Sequence, residues 1–177
     1  MSGHSHWKQI KIKKASSDER RGREFSKLLA AISIAARAEA NPDFNPRLRT
    51  AVLKAKEAQV PQENIDRAIQ KSKDSLNDLE EITLECYGPD GAAIIIEAVT
   101  SSPGRTINDL KLILKEKGGK LGEPGSVRWA FEKDEGENWK AKFTQKINEA
   151  EREKIENLLD SIENHDDVQS VSTNAEF

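Results

Sequence analysis

With 36% hydrophobic and 33% charged residues, a chain of 177 residues can bury one thin core or two small ones, and its strongly periodic apolar segments exclude full disorder. Its single cysteine, Cys86, excludes an intrachain disulfide and a thiol-based metal site, and fits a reducing compartment. The net charge of -3 is unevenly held, at +7 over residues 1–75 and -10 over the remainder, which points to a polyanion-facing end joined to an acidic body.

Residues 1–15 (MSGHSHWKQIKIKKA) hold four lysines and Trp7 with no carboxylate, and their pattern predicts a flexible basic arm. No apolar core follows that basic start at once, so a signal peptide is not expected, and Asp18, Glu19 and Glu24 argue against a transit peptide. A helix is predicted from Ser16 or Ser17 to about Ala40, because Phe25, Leu28, Leu29, Ile32 and Ala36 recur at three- and four-residue steps. Its longest mainly apolar stretch, 28–36, is broken by Ser33 and closed by Arg37. That is far short of the ~20 residues that cross a bilayer. Asn41-Pro42 ends this helix, and Asn45-Pro46 opens a second with the inner stripe Leu48, Ala51, Val52 and Ala55. Pro61 suits the first position of a third, carrying Ile65, Ala68 and Ile69 inward, so the three form a small bundle.

A boundary falls near 76–81, dividing an arm and bundle over 1–78 from an α+β domain over 79–177. Residues 82–87 predict a strand, Gly88-Pro89-Asp90-Gly91 a turn, and 92–100 a buried strand rich in isoleucine and valine. After a loop at 101–104, Thr106 with Asp109 reads as a capping box for a helix bearing Ile107, Leu110, Ile113 and Leu114 and ending at Gly118-Gly119. Alternation predicts a strand over 126–132 with Val127, Trp129 and Phe131 on one face. A charged loop at 134–138, a strand over 140–147, a helix capped by Asn148 and a strand over 168–173 complete the chain. From Ala92 onward the order is βαββαβ, the pattern of a ferredoxin-like antiparallel sheet with helices on one face, so the class is α+β.

Lysine and arginine neutralise phosphates and release counterions, and a tryptophan offers a stacking face to an unpaired base. The candidate nucleic-acid-binding residues are therefore Trp7, Lys8, Lys11, Lys13, Lys14, Arg20, Arg21, Arg23 and Lys27, with Arg47, Arg49, Lys54 and Lys56 extending the basic surface. The alternative is a protein-interaction module whose basic arm meets an acidic partner. His4 and His6, with only His165 elsewhere, fall short of a structural zinc ligand set. Gly118-Gly119-Lys120-Leu121-Gly122 lacks the spacing of a phosphate loop and follows a helix, so it reads as a helix C-cap. No local pairing of nucleophile and base marks a catalytic site, and no metal or cofactor is expected.

Several blocks resemble the YebC/PmpR family. The opening carries Gly3-His4-Ser5, Trp7, Ile10-Lys11, Arg21-Gly22, Phe25-Ser26-Lys27-Leu28 and Ala35-Ala36-Arg37. A second block holds Asn45-Pro46-Arg47-Leu48-Arg49, Pro61, Asn64-Ile65 and Arg67-Ala68-Ile69. Tyr87-Gly88-Pro89, Arg105-Thr106, Gly118-Gly119, Leu121-Gly122, Gly125-Ser126-Val127 and Asp167-Val168-Gln169 continue the match. The resemblance implies a helical N-terminal domain, ferredoxin-like α+β domains, and a cytoplasmic, non-enzymatic role. Members are described as probable transcriptional regulatory proteins that bind DNA, while similar proteins, including the mitochondrial translational activator of cytochrome c oxidase, act at the ribosome. The expected partners are thus DNA or ribosomal RNA, with the ribosome or transcription machinery; the short apolar stretch points to no membrane, and the sequence leaves the oligomeric state open, a monomer being favoured. Two departures stand out. His6 occupies a position where lysine is usual, and the loop 134–138 stands where members commonly carry a further α+β domain.

Overall fold

The computed structural model describes residues 18–72, 78–135 and 138–177. They form two units, one of residues up to 81 together with 99–102, the other of 82–98 and 103–177.

The first unit packs helices α1 (Asp18–Ala35), α2 (Pro46–Glu57) and α3 (Gln62–Lys71) around Ile32, Ala35, Ala36, Leu48, Ala55, Val60, Ile65 and Ala68. Ile32, Ala36, Leu48, Ala55, Ile65 and Ala68 are residues that the three-and-four spacing assigns inward, while Val60 comes from the link between α2 and α3. α1 ends at Ala35, short of the expected Ala40, and the cause is the buried Asn45. Its Nδ2 donates to the carbonyls of Ala35 (2.8 Å) and Glu39 (2.7 Å), while its Oδ1 accepts from the Leu48 N–H (3.0 Å). One side chain thereby satisfies the carbonyl end of α1 and the amide start of α2. Pro61 stands one position outside α3, as its N-cap.

In the second unit, β1 (Glu80–Tyr87), β2 (Ala93–Thr100), β3 (Lys120–Leu121) and β7 (Val168–Thr173) form one sheet in the order β3-β1-β2-β7. Helices α4 (Pro103–Glu116) and α5 (Glu149–Glu163) cover one face, where Ile94, Ile96 and Ala98 meet Leu110, Leu114, Ile155, Leu158, Leu159 and Ile162. The intervening residues Ala93 and Ile95 point to the opposite face and pack with Val127, Ala130 and Phe131. Both faces of β2 are therefore covered, which is why its sequence is a continuous apolar run. Each fully buried isoleucine there contributes about 1.5–3 kcal/mol.

The α+β class and the antiparallel sheet under helices match the sequence reading, but the strand assignment is corrected. β1, which the βαββαβ pattern counted from Ala92 leaves out, lies inside the sheet, and the sheet's third strand in sequence is the short β3. The expected strand over 126–132 is a turn at 128–130 followed by β4 (Phe131–Lys133), leaving Val127 and Phe131 buried but Trp129 63% exposed. A buried carboxylate bends that segment. Glu85 accepts from the N–H groups of Gly125 (2.7 Å), Val127 (2.8 Å) and Arg128 (2.9 Å), so these amides cannot serve a ladder. Burial alone would raise the Glu85 pKa, yet the three amides and the Arg128 guanidinium outweigh it and hold the carboxyl below its usual range. The strand expected over 140–147 is broken into β5 (Trp139–Ala141), which pairs with β4, and β6 (Gln145–Lys146), which pairs with β8 (Ala175–Glu176). Thr106 is not the start of α4, which begins at Pro103; it is buried and its hydroxyl donates to Asp167 (2.6 Å).

At the end of α4, Gly118 adopts φ +80° and the Gly119 N–H donates to the Leu114 carbonyl (2.7 Å), closing a left-handed cap as the sequence predicts. A Cβ on Gly119 would lie 2.9 Å from the Tyr87 carbonyl oxygen and 3.0 Å from Leu114.

Candidate nucleic-acid interface

The helical period divides α1 between two roles. At 100° per residue, Arg20, Arg23 and Lys27 fall within an arc of about 60°, on the side opposite Phe25, Leu28, Leu29 and Ile32. Arg20 and Arg23 are exposed and Lys27 is half-buried, with Glu24 exposed at the edge of the same face. Arg21 lies on the inner side but beyond the end of the core. There its guanidinium sits 5.6 Å from the Phe25 ring centroid and donates to Gln59 Oε1 (3.3 Å). Four of the expected residues are thus gathered in the first three turns of one helix, where the dipole also favours an anion.

The second helix is less uniform. Arg47 is ion-paired with Glu81, so its charge is offset within the chain. Arg49 braces the preceding loop by donating from Nε to the Pro42 carbonyl (3.1 Å) and from its terminal nitrogen to that of Asp43 (2.9 Å), which ties up donors without cancelling charge. Lys54 and Lys56 are exposed in the last turn of α2, where cations complement the carbonyl end of the dipole. Trp7, Lys8, Lys11, Lys13 and Lys14, together with His4 and His6, lie outside the described residues.

One exposed aromatic, in the loop against Arg49, was missed. Phe44, in the loop that Arg49 braces, is 78% exposed. The available signal was a lone aromatic between Asn41-Pro42 and Asn45-Pro46, in a stretch too short and too punctuated to bury it.

Other groups are committed to structure. Cys86 is fully buried, and burial, with a smaller contribution from the Glu85 charge, pushes its thiol up to about 12, which removes it as a nucleophile. The His165 ring ties its own loop to α4: Nδ1 accepts from the Asp167 N–H (3.2 Å), and Nε2 lies 3.4 Å from Asp109 Oδ2. Among the described residues, no group of three or more His, Cys, Asp or Glu side chains is arranged to hold a metal ion. No helix among them is long and apolar enough to cross a membrane.

Comparison with known proteins gives concordant likenesses. The sequence profile of the TACO1/YebC protein N-terminal domain matches residues 5–75, and that of the TACO1/YebC second and third domain matches 79–136. A "Probable transcriptional regulatory protein" of Acidobacterium capsulatum is 36% identical over 235 residues, spanning 98% of this chain and 96% of that one. Proteins with the same description from Solibacter usitatus and Prosthecochloris aestuarii are 45% and 49% identical over 75% and 74% of this chain. The match spans only about half, 54%, of each of those two relatives' own length. Among solved structures, a conserved hypothetical protein of Aquifex aeolicus superposes with a TM-score of 0.86 at 32% identity, covering 97% of this chain and 96% of the other. The alignment with the Acidobacterium relative is longer than this chain, so that relative holds segments without a counterpart here, and β4 joins β5 through residues 134–138.

Proposed function

The chain belongs to the TACO1/YebC family, and from that premise we propose that it is a non-enzymatic, cytoplasmic regulator of gene expression that binds nucleic acid through its basic helical unit. The observation that carries this reading is the outward face of α1, where Arg20, Arg23 and Lys27 stand opposite the helix's apolar stripe, in a chain similar to proteins described as transcriptional regulators.

A point charge on a flexible stem, or a guanidinium fork, reads phosphate geometry and not base identity. Such a surface supports phosphate-directed binding of duplex DNA or structured RNA, the ribosome's included, more than base readout in a major groove. Arm residues Trp7, Lys8, Lys11, Lys13 and Lys14 extend the contact, as do Lys54 and Lys56. Arg21 and Arg49 contribute charge while holding their neighbours, and the charge of Arg47 is offset by Glu81. The test compares the wild type with an Arg20→Ala/Arg23→Ala/Lys27→Ala variant on duplex DNA, structured RNA and isolated ribosomes. A loss of about tenfold or more on at least one is expected at low salt. Unchanged affinity for all three would remove the site, and binding to an acidic protein in its place would favour the interaction-module alternative.

A further inference from the structure

The second unit, acidic in sum, carries a basic and aromatic surface of its own. Trp129 and Phe143 are 63% and 45% exposed, and their rings face one another with centroids 5.4 Å apart and planes 33° from parallel. The Trp129 indole N–H donates to the Ser126 carbonyl (2.8 Å), which fixes that ring before any ligand arrives. Residues 138–148 hold Lys140, Lys142 and Lys146, all exposed, and no carboxylate. The Lys142 N–H donates to the Ala130 carbonyl (2.9 Å), placing that lysine beside the turn that bears Trp129, whereas Arg128, directly before Trp129, is committed to Glu85 (3.8 Å) and to the Trp139 ring. Among the described residues, the hairpin's carboxylates are Glu132, opposite Lys140, and Asp134 and Glu135 toward the tip. At ~3.3 Å per residue the tip lies roughly 10 Å along the hairpin from the Phe131–Ala141 rung.

We propose that Trp129 and Phe143, with Lys140 and Lys142, form a second nucleic-acid contact that takes unpaired nucleotides, the rings stacking on bases and the cations meeting phosphates. The inference rests on the function proposed above only in taking nucleic acid as the ligand. Any base presents a flat face to an aromatic ring once it is unpaired, whereas a duplex hides those faces in its own stack. The two rings with a cationic rim suit a polyanion. A stable protein interface needs about 800 Å² per partner around an apolar centre, and Leu112 is the only other large hydrophobic exposed in this unit among the described residues.

The experiment measures fluorescence anisotropy of a labelled twelve-nucleotide oligouridine, the corresponding oligothymidine and a DNA duplex with the full chain. Trp129→Ala and Phe143→Ala are each expected to weaken oligouridine binding by about 5- to 150-fold. Duplex affinity should stay within about twofold, and Trp129→Phe should restore most of the loss. Oligothymidine following oligouridine places the recognition in base stacking and phosphate; oligouridine alone binding adds the 2′-hydroxyl, and either pattern supports the proposal. Unchanged oligouridine affinity in Trp129→Ala, with the duplex still sensitive to Arg20→Ala/Arg23→Ala/Lys27→Ala, overturns this inference alone. A wild type that binds none of the three probes overturns both readings. A sedimentation coefficient that falls from dimer to monomer in Trp129→Ala makes the pair a self-contact and also overturns it.

Discussion

Replacing Glu85 by glutamine should destabilise the second unit more than any surface change, and should do so in a pH-dependent way. Glu85 is buried; Oε1 accepts from the Gly125 N–H, and Oε2 accepts from those of Val127 and Arg128. In Glu85→Gln the amide oxygen can keep the pair at Val127 and Arg128, but the new NH2 group then faces the Gly125 N–H, donor against donor. One unsatisfied buried amide costs about 1–3 kcal/mol, and two charge-assisted bonds weaken to neutral ones, so a loss of about 2–4 kcal/mol is expected at pH 7. Because the folded carboxyl lies below its usual range, its contribution is fully present above the unfolded pKa and fades as pH falls through the lower folded value. Urea titrations of both proteins at half-unit steps from pH 7 to pH 3 read this directly. The gap between wild type and variant should narrow on the acid side. A gap under 0.5 kcal/mol at pH 7, or two curves that stay parallel to pH 3, would refute the role given to the carboxylate.

Asn45→Ala removes one helix cap and leaves the Ala35 and Glu39 carbonyls without their donor, so a loss of about 2–4 kcal/mol in chemical denaturation is expected. Gly119→Ala forces a Cβ against the Tyr87 carbonyl and should cost about 1–3 kcal/mol; a melting temperature equal to wild type would contradict the close approach. Cys86, with its thiol pushed up to about 12, should resist iodoacetamide at pH 8 while the protein is folded and react once urea unfolds it, as mass spectrometry would show.

Where a segment's structure is settled by its own residues, the sequence was readable. The strand at 168–173 matches the residues expected, and the inward stripes of the three bundle helices are the residues now found in its core. Readings failed where a distant side chain intervened. Periodicity carried the first helix toward Ala40 because nothing within it reveals that Asn45 will cap Ala35. Alternation at Val127, Trp129 and Phe131 is a true strand pattern, yet Glu85, forty residues earlier, takes the amides that a strand would pair. The strand order was hidden for the same reason, since β1 pairs with a two-residue β3 that has no period of its own. At the interface, the helical period alone places Arg20, Arg23 and Lys27 on one face, whereas the commitment of Arg47 to Glu81 depends on a contact between residues far apart in sequence. Phe44 and the Trp129–Phe143 pair escaped because exposed aromatics break the rule by which apolar residues are assigned inward.

The salt dependence of binding tests the central claim most directly. Anisotropy of a labelled structured RNA, titrated with the full chain between 50 and 300 mM potassium chloride, should give a log-log slope of about -3 to -5, reduced by about 2 to 3 in Arg20→Ala/Arg23→Ala/Lys27→Ala. A slope near zero in the wild type, or one that the triple substitution leaves unchanged, would contradict a phosphate-holding face on the first helix.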